Sequence, residues 1–130
     1  MCFVVEPGEF CLLGFPEPPL ALDLADLGQP SQLVLEAGET SILLGAGAAE
    51  AILGRHTGAK VERGLRWIRF EAPMGWELVG FLAKVSGELA AAGVPIGAVC
   101  GYSRDHLFVA NKYLERVRKV LGALFPEQPA

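Results

Sequence analysis

Apolar positions along this chain fall into short runs, broken by glycine, proline and acidic turns, with two stretches of helical period towards the C-terminal end. Glu9 to Phe15 (EFCLLGF) ends at Pro16 and reads as a buried strand. The Pro-rich stretch that follows leaves Leu20 to Leu27 room for one or two helical turns before Gly28 and Pro30. Gln32–Leu35 and Thr40–Leu44 predict two short strands joined by a hairpin-like turn at Glu36-Ala-Gly-Glu39. Ala46 to Leu53 predicts a short helix stopped by Gly54.

Lys60 to Ala72 is the next extended stretch, β-forming through Trp67, Ile68 and Phe70, with Gly64 marking a bend or bulge. The clearest helix is Leu78 to Ala92, where Leu78, Leu82, Val85 and Leu89 make one stripe and Gly93 ends it. Ile96–Cys100 and His106–Ala110 predict strands around a Gly101–Asp105 turn. Asn111 reads as the N-cap of a last helix, with Tyr113, Leu114, Val117, Leu121 and Leu124 on its apolar face and Lys112, Arg116, Arg118 and Lys119 towards water. Phe125 to Ala130 reads as a frayed tail.

The element order is a compressed βαββαβ followed by βαββα. A weak echo at a spacing of 65 residues sets Leu43, Leu44, Glu50 and Ile52 on Phe108, Val109, Glu115 and Val117. A duplicated split-βαβ unit has this form, so the expected class is α+β with antiparallel sheets. The division is residues 1–62, 63–125 and a tail at 126–130. The second half lacks a closing strand, and an N-terminal strand, Cys2–Val5 or Glu9–Phe15, is the segment that would complete it and cover the sheet edge.

The 130 residues suit one compact domain or two very small ones sharing a core, and the 52% apolar content supplies that core. A net charge of −4 argues against a nucleic-acid partner. The charge is segregated: residues 1–54 carry eight acids and no Lys or Arg (−8), whereas Arg55 onward carries eleven bases against seven acids (+4). Opposite halves favour docking or head-to-tail dimers, unless they are ordinary solvated surface. Three unclustered cysteines, Cys2, Cys11 and Cys100, give neither a disulfide framework nor a metal knuckle. With no leader-like N-terminus and no apolar run of membrane length, a cytoplasmic protein without membrane attachment is expected.

Trp67-Ile68, Gly80-Phe-Leu-Ala83, Leu89-Ala-Ala-Ala-Gly-Val-Pro-Ile96 and Gly101-Tyr-Ser-Arg-Asp-His-Leu-Phe-Val109 carry a resemblance, joined upstream by Gly38-Glu-Thr-Ser-Ile-Leu-Leu44. As an ordered string these motifs resemble the ACT superfamily, in particular the paired ACT domains of CASTOR-type amino-acid sensors. The resemblance covers most of the chain after residue 36. It implies two ferredoxin-like (βαββαβ) units, pairing of sheet edges into a homodimer or higher homo-oligomer, and a small amino acid bound at a unit–unit or subunit interface. It places the binding elements at Pro73–Gly80 and Gly101–Asp105. His106 stands where sensor relatives often have an aromatic, so the ligand's identity does not carry over.

The residues themselves offer Gly75, Trp76, Glu77, Leu78 and Gly80 around a helix start, and Tyr102, Ser103 and Asp105 in the facing turn. Backbone N–H groups at a helix start attract a carboxylate, and a carboxylate at Asp105 suits an ammonium. The blander readings are close packing for Gly80 and ordinary turn chemistry for Ser103 and Asp105. Asp105 and His106, as strand neighbours, point to opposite faces and make a poor catalytic pair. His56 sits in a Gly-flanked loop without metal-spaced partners. Gly45-Ala-Gly47-Ala-Ala-Glu50 begins like a dinucleotide fingerprint, but Glu50 would repel a pyrophosphate. Cys100, with no adjacent cation, reads as an inert buried thiol. No catalytic residue, cofactor or metal site is expected. The function expected is a regulatory amino-acid-binding module rather than an enzyme. Its rivals are an oligomerisation scaffold with no ligand and an enzyme built on Asp105, His106 or Cys100.

Overall fold

The computed structural model describes residues 1–71 and 77–130 and is mixed α+β. Its contacts divide the chain into Gly8–Leu65 and a second unit made of Met1–Pro7 with Arg66–Ala130.

In the Gly8–Leu65 unit the order is β2 (Phe10–Phe15), α1 (Ala21–Ala25), β3 (Gln32–Glu36), β4 (Glu39–Gly45), α2 (Ala46–Arg55) and the first part of β5 (Lys60–Glu71). The strands lie β3-β4-β2-β5, each antiparallel to its neighbour. Alternation on β2 sends Cys11, Leu13 and Phe15 inward to meet Ile42 and Leu44 of β4 and Ala49 and Ile52 of α2. Each such large side chain, once buried, stabilises by about 1.5–3 kcal/mol. Gly64 has φ +69° and sits where the β2–β5 register slips, since Phe10 faces Leu65 and Leu12 faces Glu62. This is the bulge its position suggested, inside one strand rather than between two. Helix α2 starts directly at the end of β4 and runs through Gly54 to Arg55, one residue past the expected stop.

The other unit contains β1 (Cys2–Val5), the remainder of β5, α3 (Phe81–Ala91), β6 (Gly97–Cys100), β7 (Asp105–Ala110), a 3₁₀ turn at Asn111–Tyr113, α4 (Leu114–Gly122) and β8 (Glu127–Gln128). β6 is antiparallel to β7, and β7 lies beside β5. β1 runs antiparallel to β5, pairing Cys2 with Glu71 and Val5 with Ile68, and carries β8 in parallel on its other side. Of the two N-terminal strands weighed above, Cys2–Val5 is the one in this unit, while Phe10–Phe15 belongs to the other. Its core joins Phe3, Ile68, Phe70, Leu107 and Val109 from the strands to Val85, Leu89, Val117 and Leu121 from α3 and α4. The 65-residue echo falls on β4 with α2 and on β7 with α4.

Three expectations change. The helix expected from Leu78 starts at Phe81, because Gly80 adopts a left-handed φ of +86° that a helix interior does not accept. Its buried stripe is Val85 and Leu89, with Phe81 partly buried against the same core, and both Leu78 and Leu82 are exposed. Asn111 caps nothing: its Oδ1 accepts a hydrogen bond from Arg66 Nη1 at 3.1 Å, and α4 starts three residues later. The segment after Phe125 is not frayed, since the Phe3 N–H donates to Pro126 O at 3.0 Å and Glu127–Gln128 form β8.

Candidate functional site

Among the described residues, one place in each unit gathers charged groups most closely.

The first is a cleft of about 260 Å³ within the Arg66–Ala130 unit. One wall is Leu78, Gly80 and the first turn of α3, Phe81 to Ala83; the other is the hairpin turn from Cys100 through Tyr102 to Arg104 and Asp105. Among the described residues no side chain caps α3, so its first-turn N–H groups have no side-chain acceptor there. No hydrogen bond or ion pair reaches the Asp105 carboxylate among the described residues. Arg104 is engaged, since its Nη1 donates to Glu71 Oε1 at 2.7 Å. Arg69 Nε donates to the same oxygen at 2.6 Å, and Arg69 also pairs with Glu6. The Arg69 hydrogen bond, with the positive charges of Arg104 and Arg69, holds the Glu71 carboxyl below its usual range against the opposing effect of burial.

The turn that carries Tyr102 is built from behind. The Gly101 N–H donates to Arg104 O at 2.8 Å, and a Cβ on Gly101 would lie 3.2 Å from His106 Nε2 and 3.3 Å from that carbonyl. Trp67 Nε1 donates to His106 Nδ1 at 3.0 Å, which fixes the neutral ring with its proton on Nε2. Burial, then the Arg104 charge, holds the His106 pKa below its ordinary value. His106 therefore supports the turn, while its neighbour Asp105 lines the cleft.

The expected site residues divide accordingly. Leu78, Gly80, Tyr102 and Asp105 come together around the cleft. Glu77 and Ser103 are exposed and do not line it. Gly75 and Trp76 lie outside the described residues. Among the described residues nothing lies within 4 Å of a would-be Cβ on Gly80, whose left-handed φ of +86° itself favours glycine. Cys100 is exposed on the cleft wall, contrary to the buried thiol expected, because β6 turns most of its residues to solvent.

The second place, in the Gly8–Leu65 unit, is one that sequence reasoning missed. His56, at the end of α2, is buried with Asp23, which is 0% exposed. Its Nε2 lies 2.7 Å from Asp23 Oδ2 and its Nδ1 2.8 Å from Glu17 Oε1, and its ring stacks on Phe15 at 3.8 Å. Asp23 also accepts from Arg55 Nε at 2.7 Å and from the Leu20 N–H at 2.7 Å, while Arg55 Nη2 reaches Asp26 at 2.6 Å. Burial alone would favour the neutral ring, but the bonds to Asp23 and Glu17 outweigh it and hold the His56 pKa above its ordinary value. The same bonds hold Glu17 low, and they hold Asp23 low against burial. The buried His56 and Asp23 are satisfied from within, so the cluster reads as a structural lock. Among the described residues no group of three or more His, Cys, Asp or Glu could hold a metal ion.

The geometry defines a class: small α+β units, one of which holds a cleft between a helix start and a hairpin turn. Residues 60–123 match the family model described as ACT domain. A comparison with curated proteins found no match. Among solved structures, a protein from Agobacterium tumefaciens is similar at a TM-score of 0.81 and 20% identity, covering 98% of this chain and 92% of that one. The ligand-free regulatory subunit of aspartate kinase from Thermus thermophilus is similar at 0.68 and 11% identity, over 96% and 98%. Aspartate kinase from Clostridium acetobutylicum is similar at 0.70 and 12%, over 95% of this chain and 34% of that one. At these identities the likeness speaks to the fold alone. Among the described residues no helix is long and apolar enough to cross a membrane.

Proposed function

We propose that this protein is a regulatory module of the ACT type that binds an α-amino acid in the cleft between α3 and the β6–β7 turn, without chemistry of its own. The observation that carries the reading is the pairing, in one small cleft, of a helix start and an Asp105 carboxylate that the described residues leave without partners. A zwitterion presents the complement: its carboxylate suits the α3 N–H groups, and its ammonium suits Asp105. Leu78, Gly80, Tyr102 and Asp105 are the contact residues, and Glu77 and Ser103 flank them. Each unit reads as ferredoxin-like, the strand order β3-β4-β2-β5 in one being that of a split βαβ pair. In the other, β1 takes the place beside β5 that a fourth strand would hold. The ACT family match, the fold likeness to a regulatory subunit of aspartate kinase, and the resemblance to paired CASTOR-type domains support a sensing role.

The test is calorimetry and thermal unfolding of the full chain against the free amino acids. At 100 times its dissociation constant, one of them should stabilise the fold by about 2.7 kcal/mol. Asp105→Asn should abolish the effect while leaving the unliganded midpoint in place. No response to any amino acid would overturn the reading. A second reading, a scaffold for self-association, draws on Leu20, Leu22 and Leu24, which α1 exposes while it buries Asp23. Light scattering on the same samples separates the two, since the scaffold associates whether or not an amino acid is present.

A further inference from the structure

We infer that the cleft selects a neutral amino acid with an apolar side chain and rejects acidic and basic ones. The inference rests on the amino-acid reading above and goes further by naming the class. Two charged residues line the cleft, Arg104 and Asp105. If Asp105 takes the ammonium, no carboxylate remains for a basic side chain. Among the described residues Arg104 is the cation of the cleft that could meet an acidic side chain, and its Nη1 already donates to Glu71 Oε1 at 2.7 Å. That pair belongs to a chain, Glu6–Arg69–Glu71–Arg104, in which two guanidinium groups balance two carboxylates. An acidic ligand would have to share Arg104 with Glu71, adding a negative charge beside Asp105 to a set that is already balanced.

What is left for a side chain to touch is apolar. Leu78, Phe81 and Leu82 come from the helix wall, and the ring of Tyr102 from the turn. Leu78 and Leu82 are among the large apolar residues this chain leaves exposed, and Tyr102 is fully exposed. A branched or aromatic ligand side chain would cover them and gain by the area it removes from water. A cleft of about 260 Å³ is below the range typical of drug-sized ligands, which suits a single amino acid and not a peptide or nucleotide.

The experiment is calorimetric titration of the full chain with L-leucine, L-methionine, L-phenylalanine, L-aspartate and L-lysine, repeated on Glu71→Gln. Wild type should bind the best of the three apolar amino acids at least about ten-fold more tightly than aspartate or lysine. Glu71→Gln frees Arg104 and should narrow that gap by strengthening aspartate alone. Aspartate or lysine binding as tightly as the apolar set would overturn this inference and leave the amino-acid reading standing. Equal changes for leucine and aspartate in Glu71→Gln would overturn the charge argument. Silence from all five would sink both readings together.

Discussion

The two units solve the same corner in opposite ways. In each, a strand leads into a helix and a charged cluster gathers nearby. Around α1 the chain fills the corner itself: Glu17 and Asp23 hold His56, Asp23 and Asp26 hold Arg55, and Asp23 also takes the Leu20 N–H. Around α3 the helix start is uncapped and Asp105 is left without a bonded partner among the described residues. A polar group kept without a partner costs stability, so it persists most readily where something else supplies the partner. The comparison teaches where to test for a ligand: at the α3 corner, where the described residues leave polar groups without partners.

The largest effect that could break this contrast is on Asp23. Its carboxylate accepts from the Leu20 N–H, Arg55 and His56 while fully buried. Asp23→Ala strands a buried imidazole and removes the acceptor that starts α1. Arg55 keeps Asp26 and His56 keeps Glu17, so the loss should lie near the lower end for a broken buried pair, about 3 kcal/mol in urea unfolding. A loss below about 1 kcal/mol would show that the cluster is not the lock described here.

Much of the α3 side was legible in the sequence, and the lock was not, for a physical reason. The cleft is made of near neighbours: Leu78 to Ala83 in one stretch and Cys100 to Asp105 in another, each announced by glycine and turn residues. The lock joins residues 39 and 33 positions apart, Glu17 and Asp23 with His56, and each looks ordinary in its own segment. One signal was available. Asp23 interrupts the leucines of Leu20-Ala-Leu-Asp-Leu, and Arg55 and His56 are the first cationic residues after a stretch of eight acids. The strands were legible from alternation and turn glycines. The start of α3 was misplaced because Leu78 and Leu82 share a helical spacing that also fits Phe81 and Val85, and only the backbone at Gly80 decides between the two stripes.

A smaller effect tests the turn that faces α3. Gly101→Ala would put a methyl 3.2 Å from His106 Nε2 and 3.3 Å from the Arg104 carbonyl, so the ring or the turn must yield by a few tenths of an ångström. The expected cost is about 1 kcal/mol, the low end for overpacking, with amino-acid affinity falling further than stability because the displaced turn carries Tyr102 and Asp105. Affinity unchanged alongside lost stability would mean that the turn does not shape the cleft.

The smallest effect is a change of slope, and it separates the two histidines by sign. His56 is held above its ordinary pKa: burial opposes the charge, but the bonds to Asp23 and Glu17 prevail. Its contribution is complete below the unfolded value of about 6.5 and is lost as pH rises through the folded one. His106 is held below its ordinary pKa by burial, then by Arg104 and Arg69, against the pull of Asp105 and Glu71. Its contribution is complete above about 6.5 and is lost as pH falls through the folded value. Asp23 and Glu17, both held low, matter only further down, below about 4. Stability should therefore peak near the ordinary histidine value and fall on both sides. His56→Gln should flatten the alkaline flank alone. His106→Asn, which keeps an acceptor for Trp67 Nε1, should flatten only the acid flank that begins below about pH 6.5. Denaturant midpoints at half-unit pH steps would show it. If both variants flatten the same flank, the two corners do not hold opposite protonation states, and the contrast between them loses its electrostatic half.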